Sequence, residues 1–365
     1  MIITAEDNYR ELDGWLEGKK KVLLVCSRSI KYLTGVNRKF REIDADIVYF
    51  SDFKPNPLYE SVVNGVKLFR EEQCDSIMAI GGGSAMDVAK CIKLYSNFPG
   101  NGEDGSWLKT EVVPNDIPFL AMPTTAGTGS ETTRYAVIYW KGKKQSITSE
   151  TFIPETVLMD PSVLKTLPLY QKKATMCDAL CHAIESFWSV NSTEESKGYS
   201  RDAICGVLEH MNGYLANTEE GNAGMLMAAH TAGKAINITQ TTAGHAMCYK
   251  ITSLFGPAHG HAAILCDHVL YPWMIENTDK CVDPRGKEYL KRTLDEIGQA
   301  MGCENAQFGA KKLKSIFESL ELEIPSTTEA LYEELKNSVN PVRLKNYPIK
   351  LNVDTIDTLY HQILR

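Results

Sequence analysis

Short apolar runs alternate with amphipathic stretches over the first 165 or so residues. Each run spans four or five residues between polar neighbours, which is typical of a buried strand; the runs lie at 22–25, 46–50, 76–80 and 117–121. Residues 60–72 and 87–95 show helical spacing. This alternation predicts a parallel sheet with helices on both faces. Residues 135–140 and 146–148 flank a Lys-Gly turn and predict a hairpin appended to that sheet.

Beyond residue 165 the apolar positions follow long helical periods, with few strand signals. The first predicted helix covers residues 171–190, and others are predicted at 197–215, 225–238, 288–301, 309–320, 328–339 and 353–364. A chain of 365 residues exceeds the size at which one hydrophobic core usually keeps growing. We therefore predict two domains, an α/β domain over residues 1–165 and an all-α domain over residues 166–365.

Charge and composition narrow the class of protein. The net charge is −7 and there is no long basic run, which argues against nucleic acid as a partner. No apolar stretch approaches the roughly 18 residues of a membrane span, and the first residues have no signal-peptide pattern. The ten cysteines form no CxxC pair, so we expect reduced thiols in a cytoplasmic protein.

A glycine-rich segment, Gly81-Gly82-Gly83-Ser84 followed by Asp87, joins the third predicted strand to a helix. Glycines let the backbone approach a phosphate, and the helix N-terminus adds free N–H groups and a positive dipole end. Ser84 can also cap the helix. The alternative is a tight turn that binds nothing. The spacing is not that of the GxGxxG fingerprint.

A second loop follows the fourth predicted strand and carries four hydroxyl groups, those of Thr124, Thr125, Thr128 and Ser130. Loops at the carboxyl ends of parallel strands are where α/β sheets bind ligands. These hydroxyls suit ribose, diphosphate or the nicotinamide amide. The alternative is a polar surface loop with a local side-chain turn.

A carboxylate and three imidazoles make up a candidate metal site. Asp178 and His182 are four residues apart, so on a helix they share one face. His245 and His259 come from two further places in the chain. A mixed oxygen and nitrogen set suits Fe(II), Zn(II), Mn(II) or Co(II). The alternatives are a surface i,i+4 pair and hydrogen-bonded core histidines.

Together, these segments resemble the iron-containing (group III) alcohol dehydrogenase family; the matching motifs span residues 81–90, 123–131, 178–185 and 244–260. The resemblance implies a dinucleotide-binding α/β domain and an all-α domain with the metal in the cleft between them, a fold shared with the dehydroquinate synthases. It implies Fe(II), or Zn(II) or Mn(II), bound by the four residues above, and NADPH or NADH as cofactor. Asn56 and Lys144 are implied as further cofactor contacts.

The resemblance also implies hydride transfer to an aldehyde whose oxygen the metal polarises. Many family members carry a second histidine four residues after the third ligand, but here that residue is Tyr249. Tyr249 or His261 is therefore our candidate for orienting the cofactor or relaying a proton. Where NAD-specific members carry an aspartate after the first strand, this chain has Ser27-Arg28, which should permit NADP.

Residues 232–249 look most like the branch that reduces phosphonoacetaldehyde to 2-hydroxyethylphosphonate. Arg134, Lys234 and Lys250 are candidate contacts for an anionic substrate head. The alternatives are a general short-chain alcohol or diol dehydrogenase of the same family, and a lyase-type relative that recycles bound NAD. We expect a homodimer, the commonest assembly of soluble oligomers.

Overall fold

The computed structural model describes residues 1–43 and 45–365. It divides into two compact units. The N-terminal unit comprises Met1–Thr125 and Gly129–Leu167, and the C-terminal unit comprises Ala126–Thr128 and Pro168–Arg365.

A six-stranded, all-parallel sheet forms the centre of the N-terminal unit, in the order β1-β8-β5-β4-β2-β3. Its strands are β1 Ile2–Thr4, β2 Lys21–Cys26, β3 Asp46–Phe50, β4 Ser76–Gly81, β5 Phe119–Pro123 and β8 Thr156–Met159. All four strands predicted for this sheet are confirmed. β1 and β8 were not predicted, because β1 has only three residues and β8 only three consecutive apolar ones.

Four helices accompany this sheet: α1 Glu6–Leu16, α2 Thr34–Glu42, α3 Tyr59–Glu71 and α4 Gly83–Tyr95. β2 lies between β3 and β4 in the sheet. The chain therefore runs from β2 to β3 on one side, and then crosses to β4 on the other side of β2. The loops after β2 and β4 consequently diverge at the carboxyl edge of the sheet. Such a switch point is where open α/β sheets bind ligands.

The hairpin consists of β6 Tyr135–Trp140 and β7 Lys143–Thr148. These strands pair with each other in a separate two-stranded sheet. The hairpin itself was predicted correctly, but the expectation that it extends the parallel sheet was wrong. An isolated bridge between Leu58 and Tyr139 is the other strand-type pairing of β6 among the described residues.

Helices build the C-terminal unit: α5 Leu169–Trp188, α6 Glu194–Leu215, α7 Glu219–Thr239, α8 Ala243–Phe255, α9 His259–Glu276, α10 Lys287–Ala300, α11 Ala306–Ser319, α12 Glu329–Ser338, α13 Pro341–Leu344 and α14 Val353–Ile363. α5 packs against α6, α7 and α9. Among the described helices, none combines the length and apolar character that crossing a membrane requires.

α8 and α9, which carry two of the predicted metal ligands, were not predicted as helices. In α9, eight consecutive residues from Gly260 to Asp267 are buried, so no polar stripe marks the period. Pro272 also lies inside this helix. A helix buried on all sides gives no amphipathic signal, which explains the omission.

Candidate functional site

Three of the predicted ligands converge in the C-terminal unit. Asp178 lies in the middle of α5, His245 in the first turn of α8, and His259 is the first residue of α9. One ligand atom from each lies within 4.8 Å of the other two. Asp178 Oδ1 and His245 Nε2 are 3.4 Å apart. Asp178 and His245 are buried, whereas His259 is half-buried.

His182 adjoins this group from one turn further along α5. Its Nε2 lies 3.9 Å from Asp178 Oδ1, and its ring stacks on that of His245 with centroids 4.5 Å apart. Its ligand atoms fall outside the 4.8 Å group formed by the other three residues. The four predicted ligands are therefore neighbours, three of them tightly clustered.

The donor atoms of this cluster fit a metal ion. Asp178 Oδ1, His182 Nδ1 and His245 Nε2 are buried and make no hydrogen bond to any residue that the structure describes. Buried polar atoms in native proteins nearly always have a hydrogen-bond partner. Three such atoms without one, gathered at one place, therefore require an explanation. A carboxylate oxygen and imidazole nitrogens supply the ligand set that Fe(II) or Zn(II) prefers.

The protonation states also suit metal binding. Burial lowers the pKa of His182 to about 4, so its ring is neutral and keeps a lone pair at pH 7. Burial on its own would raise the pKa of Asp178. Electrostatic interactions with the surrounding histidines, His182 foremost, and a hydrogen bond with His245 outweigh burial and hold that pKa below its usual range.

Glu185, one turn beyond His182 on α5, orients the His245 ring. Its carboxylate is fully buried and accepts hydrogen bonds from the backbone N–H of His245 (2.9 Å), from Thr242 Oγ1 (2.6 Å) and from the Thr242 backbone N–H. The same carboxylate contacts His245 Nδ1. Nδ1 therefore carries the proton, and Nε2 turns toward Asp178. Sequence reasoning missed this role, although positions 178, 182 and 185 share one helical face.

A second buried acid, Asp267 on α9, lies behind Glu185. A Cβ added to Gly244 would stand 1.9 Å from Asp267 Oδ1 and 2.7 Å from Glu185 Oε1, so only glycine fits between the two acids. Burial, reinforced by the charge of Glu185, raises the pKa of Asp267 well above its usual value. Sequence reasoning did not identify Asp267, because α9 is apolar on nearly all sides and shows no amphipathic pattern.

The two candidate catalytic residues have different surroundings. The Tyr249 ring stacks on His259, with centroids 5.2 Å apart and planes inclined by 21°. His261 is buried and has both ring nitrogens engaged. Its Nδ1 lies 3.1 Å from the Tyr170 hydroxyl, and its Nε2 lies 2.9 Å from the carbonyl oxygen of Glu323. Tyr249 thus contacts a predicted ligand, whereas His261 is held by two other segments.

In the N-terminal unit, the two predicted loops are neighbours at the carboxyl edge of the sheet. The backbone N–H of Thr124 donates to the carbonyl of Gly81 at 3.0 Å. α4 begins at Gly83 with Gly82 as its N-cap, so its first N–H groups face this edge. Ser84 lies inside the first turn, and its predicted capping role was wrong. Thr125 is half-buried in the same loop.

Two residues of α4 anchor the loop that follows Gly129: Asp87, which is half-buried, and Lys90, which is buried. Asp87 accepts hydrogen bonds at 3.2 Å from Ser130 Oγ and from the Val137 backbone N–H. Lys90 Nζ lies 2.6–3.1 Å from five oxygen atoms of Ser130, Thr133 and Tyr135.

Burial dominates the pKa values of both anchors. It raises the pKa of Asp87 to about 6 and lowers that of the Lys90 amine to about 8. Thr128, the remaining predicted hydroxyl, belongs to the segment that groups with the C-terminal unit.

Three further predicted cofactor contacts also belong to the N-terminal unit. Ser27 follows β2, and its hydroxyl contacts that of Ser29. Asn56 adopts a left-handed backbone conformation, with φ of 58°. Lys144 lies on β7, and its charge acts on Asp87. Beyond Ser27 lies an open groove of about 500 Å³, lined by Lys31, Thr34, Asn37, Arg38, Arg41 and Glu42.

Each of the three predicted substrate cations is engaged by another side chain of its own unit. Arg134 is in the N-terminal unit and pairs with Glu150 at 2.7 Å. Lys250 pairs with Glu334 at 2.5 Å. Lys234 lies over the Tyr199 ring at 5.8 Å.

Comparisons with known proteins match almost the whole chain. Residues 1–161 match the family model "Iron-containing alcohol dehydrogenase", and residues 172–363 match "Fe-containing alcohol dehydrogenase family, C-terminal". 1,3-Propanediol dehydrogenase of Citrobacter freundii is 31% identical over 82% of this chain and 79% of that protein. Phosphonoacetaldehyde reductase of Streptomyces viridochromogenes is 31% identical over 67% of this chain and 64% of that protein.

Among solved structures, sulfoacetaldehyde reductase from Bifidobacterium kashiwanohense in complex with NAD+ superposes with a TM-score of 0.88. It is 26% identical, and the match covers 100% of this chain and 96% of that one. The fold described above is therefore found in that structure over the full length of this chain.

Proposed function

This chain belongs to the iron-containing alcohol dehydrogenase family, and from that premise we propose that it reduces a short aldehyde carrying an anionic head group. The protein is an oxidoreductase whose cofactors are iron and NAD(H). In the reaction, the aldehyde carbon takes a hydride from NADH, the oxygen takes a proton, and NAD+ and an alcohol are released. The convergence of Asp178, His245 and His259 is the observation that supports metal-dependent reduction of an aldehyde.

When bound, the metal ion supplies Lewis acidity toward the carbonyl oxygen, and the nicotinamide supplies the hydride. Asp178, His245 and His259, with His182 beside them, would hold the ion. Glu185 fixes the tautomer of His245, so that ligand needs no rearrangement when the ion arrives. Because the pKa of His182 is low, its ring is neutral at pH 7 and keeps a lone pair that can bind the metal.

The substrate side of the cluster is the side of His259. That ligand is half-buried, whereas Asp178, His182 and His245 are buried, so a small molecule approaches past His259. Tyr249 stacks on His259 and is half-buried as well. We assign to its hydroxyl the role of a hydrogen-bond donor to the substrate. Tyr249→Phe should then lower kcat without changing metal content; an unchanged kcat would remove Tyr249 from this role.

The glycine loop and the hydroxyl loop of the N-terminal unit would bind the dinucleotide. Gly81–Gly83 let the diphosphate approach the first N–H groups of α4, where the helix dipole favours an anion. The hydroxyls of Thr124 and Thr125 follow the neighbouring strand β5. Asp87 and Lys90 have their polar atoms turned toward the 130–137 segment, so we assign them the support of this loop.

An anionic substrate head is supported by the relatives. The phosphonoacetaldehyde and sulfoacetaldehyde reductases each act on a two-carbon aldehyde with an acidic group. The ion pairs of Arg134 and Lys250 weaken the support from this chain's own cations. They favour, as the second candidate, a neutral short alcohol or diol, as in the 1,3-propanediol dehydrogenase relative.

A panel of aldehydes separates these candidates. With Fe(II) or Zn(II) restored and NADH as donor, kcat/KM for phosphonoacetaldehyde or sulfoacetaldehyde should exceed that for propionaldehyde by at least about tenfold, the effect of about 1.4 kcal/mol. Added salt should reduce this preference by screening the charges. Equal or higher values for neutral aldehydes would establish the second candidate instead. Product formation without net loss of NADH absorbance would point to the lyase alternative.

A further inference from the structure

The hydroxyl of Tyr170 joins the start of α5 to the start of α9 in the C-terminal unit. Tyr170 is the second residue of α5, eight residues before Asp178. Its oxygen lies 2.8 Å from the backbone N–H of Ala258 and 3.1 Å from Nδ1 of His261. Ala258 is the N-cap of α9 and immediately precedes His259.

The direction of these hydrogen bonds follows from their partners. The Glu323 carbonyl is only an acceptor, so His261 Nε2 must donate to it. In the neutral ring, Nδ1 is then the acceptor, and the Tyr170 O–H donates to it. The Tyr170 oxygen keeps lone pairs for the Ala258 N–H.

The backbone at the start of a helix is usually less well fixed than its interior, because the first N–H groups have no hydrogen-bond partner within the helix. Here the Ala258 N–H is held by Tyr170, and the next residues are pressed against α5. A Cβ on Gly260 would stand 2.0 Å from the carbonyl oxygen of Ala174 and 2.5 Å from Asp178 Cβ. The backbone of His259 is thus fixed relative to the helix that carries Asp178.

We propose that Tyr170 and His261 are positioning residues, which set the backbone of His259 and thereby the geometry of the metal site. The inference rests on the proposed function, because it assumes that His259 binds the catalytic metal. It replaces the proton-relay role considered for His261 from the sequence. A relay would need a group beyond the ring that can take up or supply a proton, whereas Nε2 of His261 faces the backbone carbonyl of Glu323.

Tyr170→Phe tests the proposal, since it keeps the ring and removes only the hydroxyl. Competition with a chromophoric chelator should show Zn(II) or Co(II) binding weakened roughly 10- to 100-fold, the usual effect of losing a residue that supports a metal ligand. At saturating metal, kcat should recover to near the wild-type value, and NADH affinity should not change. Tyr332→Phe, which removes a hydroxyl from α12 in the same unit, is the matched control and should leave metal affinity unchanged.

His261→Gln distinguishes positioning from proton relay. The glutamine amide can still donate to Glu323 but offers no acceptor in the place of Nδ1, so metal affinity should fall as in Tyr170→Phe. The double variant should lose little more than either single one, because both residues act in one chain of hydrogen bonds. A lowered kcat at saturating metal, an altered pH profile and an unchanged metal affinity would instead identify a relay and overturn the proposal.

Amide hydrogen exchange of the wild-type protein gives a test that does not depend on a variant folding. The Ala258 amide should be protected, although it precedes the helix. Rapid exchange there, or Tyr170→Phe binding metal as tightly as wild type, would refute the positioning role. If the wild-type protein itself binds no metal or oxidises no NADH, the proposed function fails, which is a different result.

Discussion

The Glu185 carboxylate contacts Nδ1 of His245 and leaves Nε2 of that ring facing Asp178. Both side chains are almost completely buried, so the orientation cannot relax into solvent. The acid also accepts hydrogen bonds from Thr242 and from the His245 backbone. One buried carboxylate therefore sets the tautomer, the ring orientation and the local backbone of a metal ligand.

Replacing Glu185 should weaken metal binding without removing a ligand. In Glu185→Gln the amide oxygen can accept from Nδ1, but the negative charge that raises the basicity of the ring as a ligand is lost. We expect metal affinity to fall 10- to 100-fold, measured by chelator competition. Glu195→Gln, on the exposed first turn of α6, is the control. Equal metal affinity of Glu185→Gln and wild type would contradict the assignment.

Removing His259 should separate metal chemistry from cofactor binding. His259→Ala deletes the half-buried ligand, and we expect turnover to be abolished and metal content to drop. NADH binding, measured by fluorescence titration, should persist because Gly81–Gly83, Thr124 and Thr125 belong to the other unit. Lost NADH binding together with retained metal would show that His259 serves the cofactor instead.

Metal binding should release about one proton near neutral pH. Burial alone would lower the pKa of His245, but the charges of Glu185 and Asp178 outweigh it and raise that pKa well above its usual value. The metal-free protein therefore holds a proton on this ring at pH 7, which a metal ion must displace. His182, with a pKa of about 4, has none to release.

Metal affinity should accordingly rise about tenfold per pH unit until the folded-state pKa of His245 is passed. In the metal-free protein, the raised pKa adds to the free energy of unfolding below the unfolded value of about 6.5, and this contribution is lost as the pH rises through the folded-state value. Calorimetric titration with Zn(II) in two buffers of different ionisation enthalpy measures the released proton. Identical heats in both buffers would refute it.

Lys90 should matter for the cofactor rather than for the metal. Lys90→Met keeps the length of the side chain but leaves the oxygens of Ser130, Thr133 and Tyr135 without their donor. We expect the KM for NADH to rise about tenfold or more, with metal affinity unchanged. Lys93→Met is the matched control, because Lys93 lies on the same helix and bonds to Asn115 and Ile117 instead. Equal effects of both variants on KM would indicate a general loss of stability.

The residue after β2 should set the choice between NADH and NADPH. Ser27→Asp places a negative charge where α/β folds bind the adenosine ribose, and it should lower kcat/KM for NADPH far more than for NADH. Ser51→Asp, after the end of the neighbouring β3, adds the same charge as a control. A proportional loss with both cofactors would reject the role of Ser27.

Local pattern was sufficient for β2 to β5 and for most helices of the C-terminal unit, but it did not predict α1, α2, α8 or α9. The strands β2 to β5 and the helix α5 were predicted because buried runs and amphipathic periods are properties of the chain itself. The same holds for the candidate ligands Asp178 and His182, whose four-residue spacing places them on one helical face. His245 and His259 were candidates by residue type, and the resemblance implied that they bind the same metal as this pair.

Only the tertiary structure decided how that site is built. Glu185, Asp267 and Tyr170 act on the ligands from positions that no sequence period marks, because their partners lie on other helices. The sequence determined which elements form and which residue types are available to bind a metal. Packing α5 against α8 and α9 decided which of their atoms meet, because a side chain's hydrogen bonds and pKa depend on neighbours that are distant along the chain.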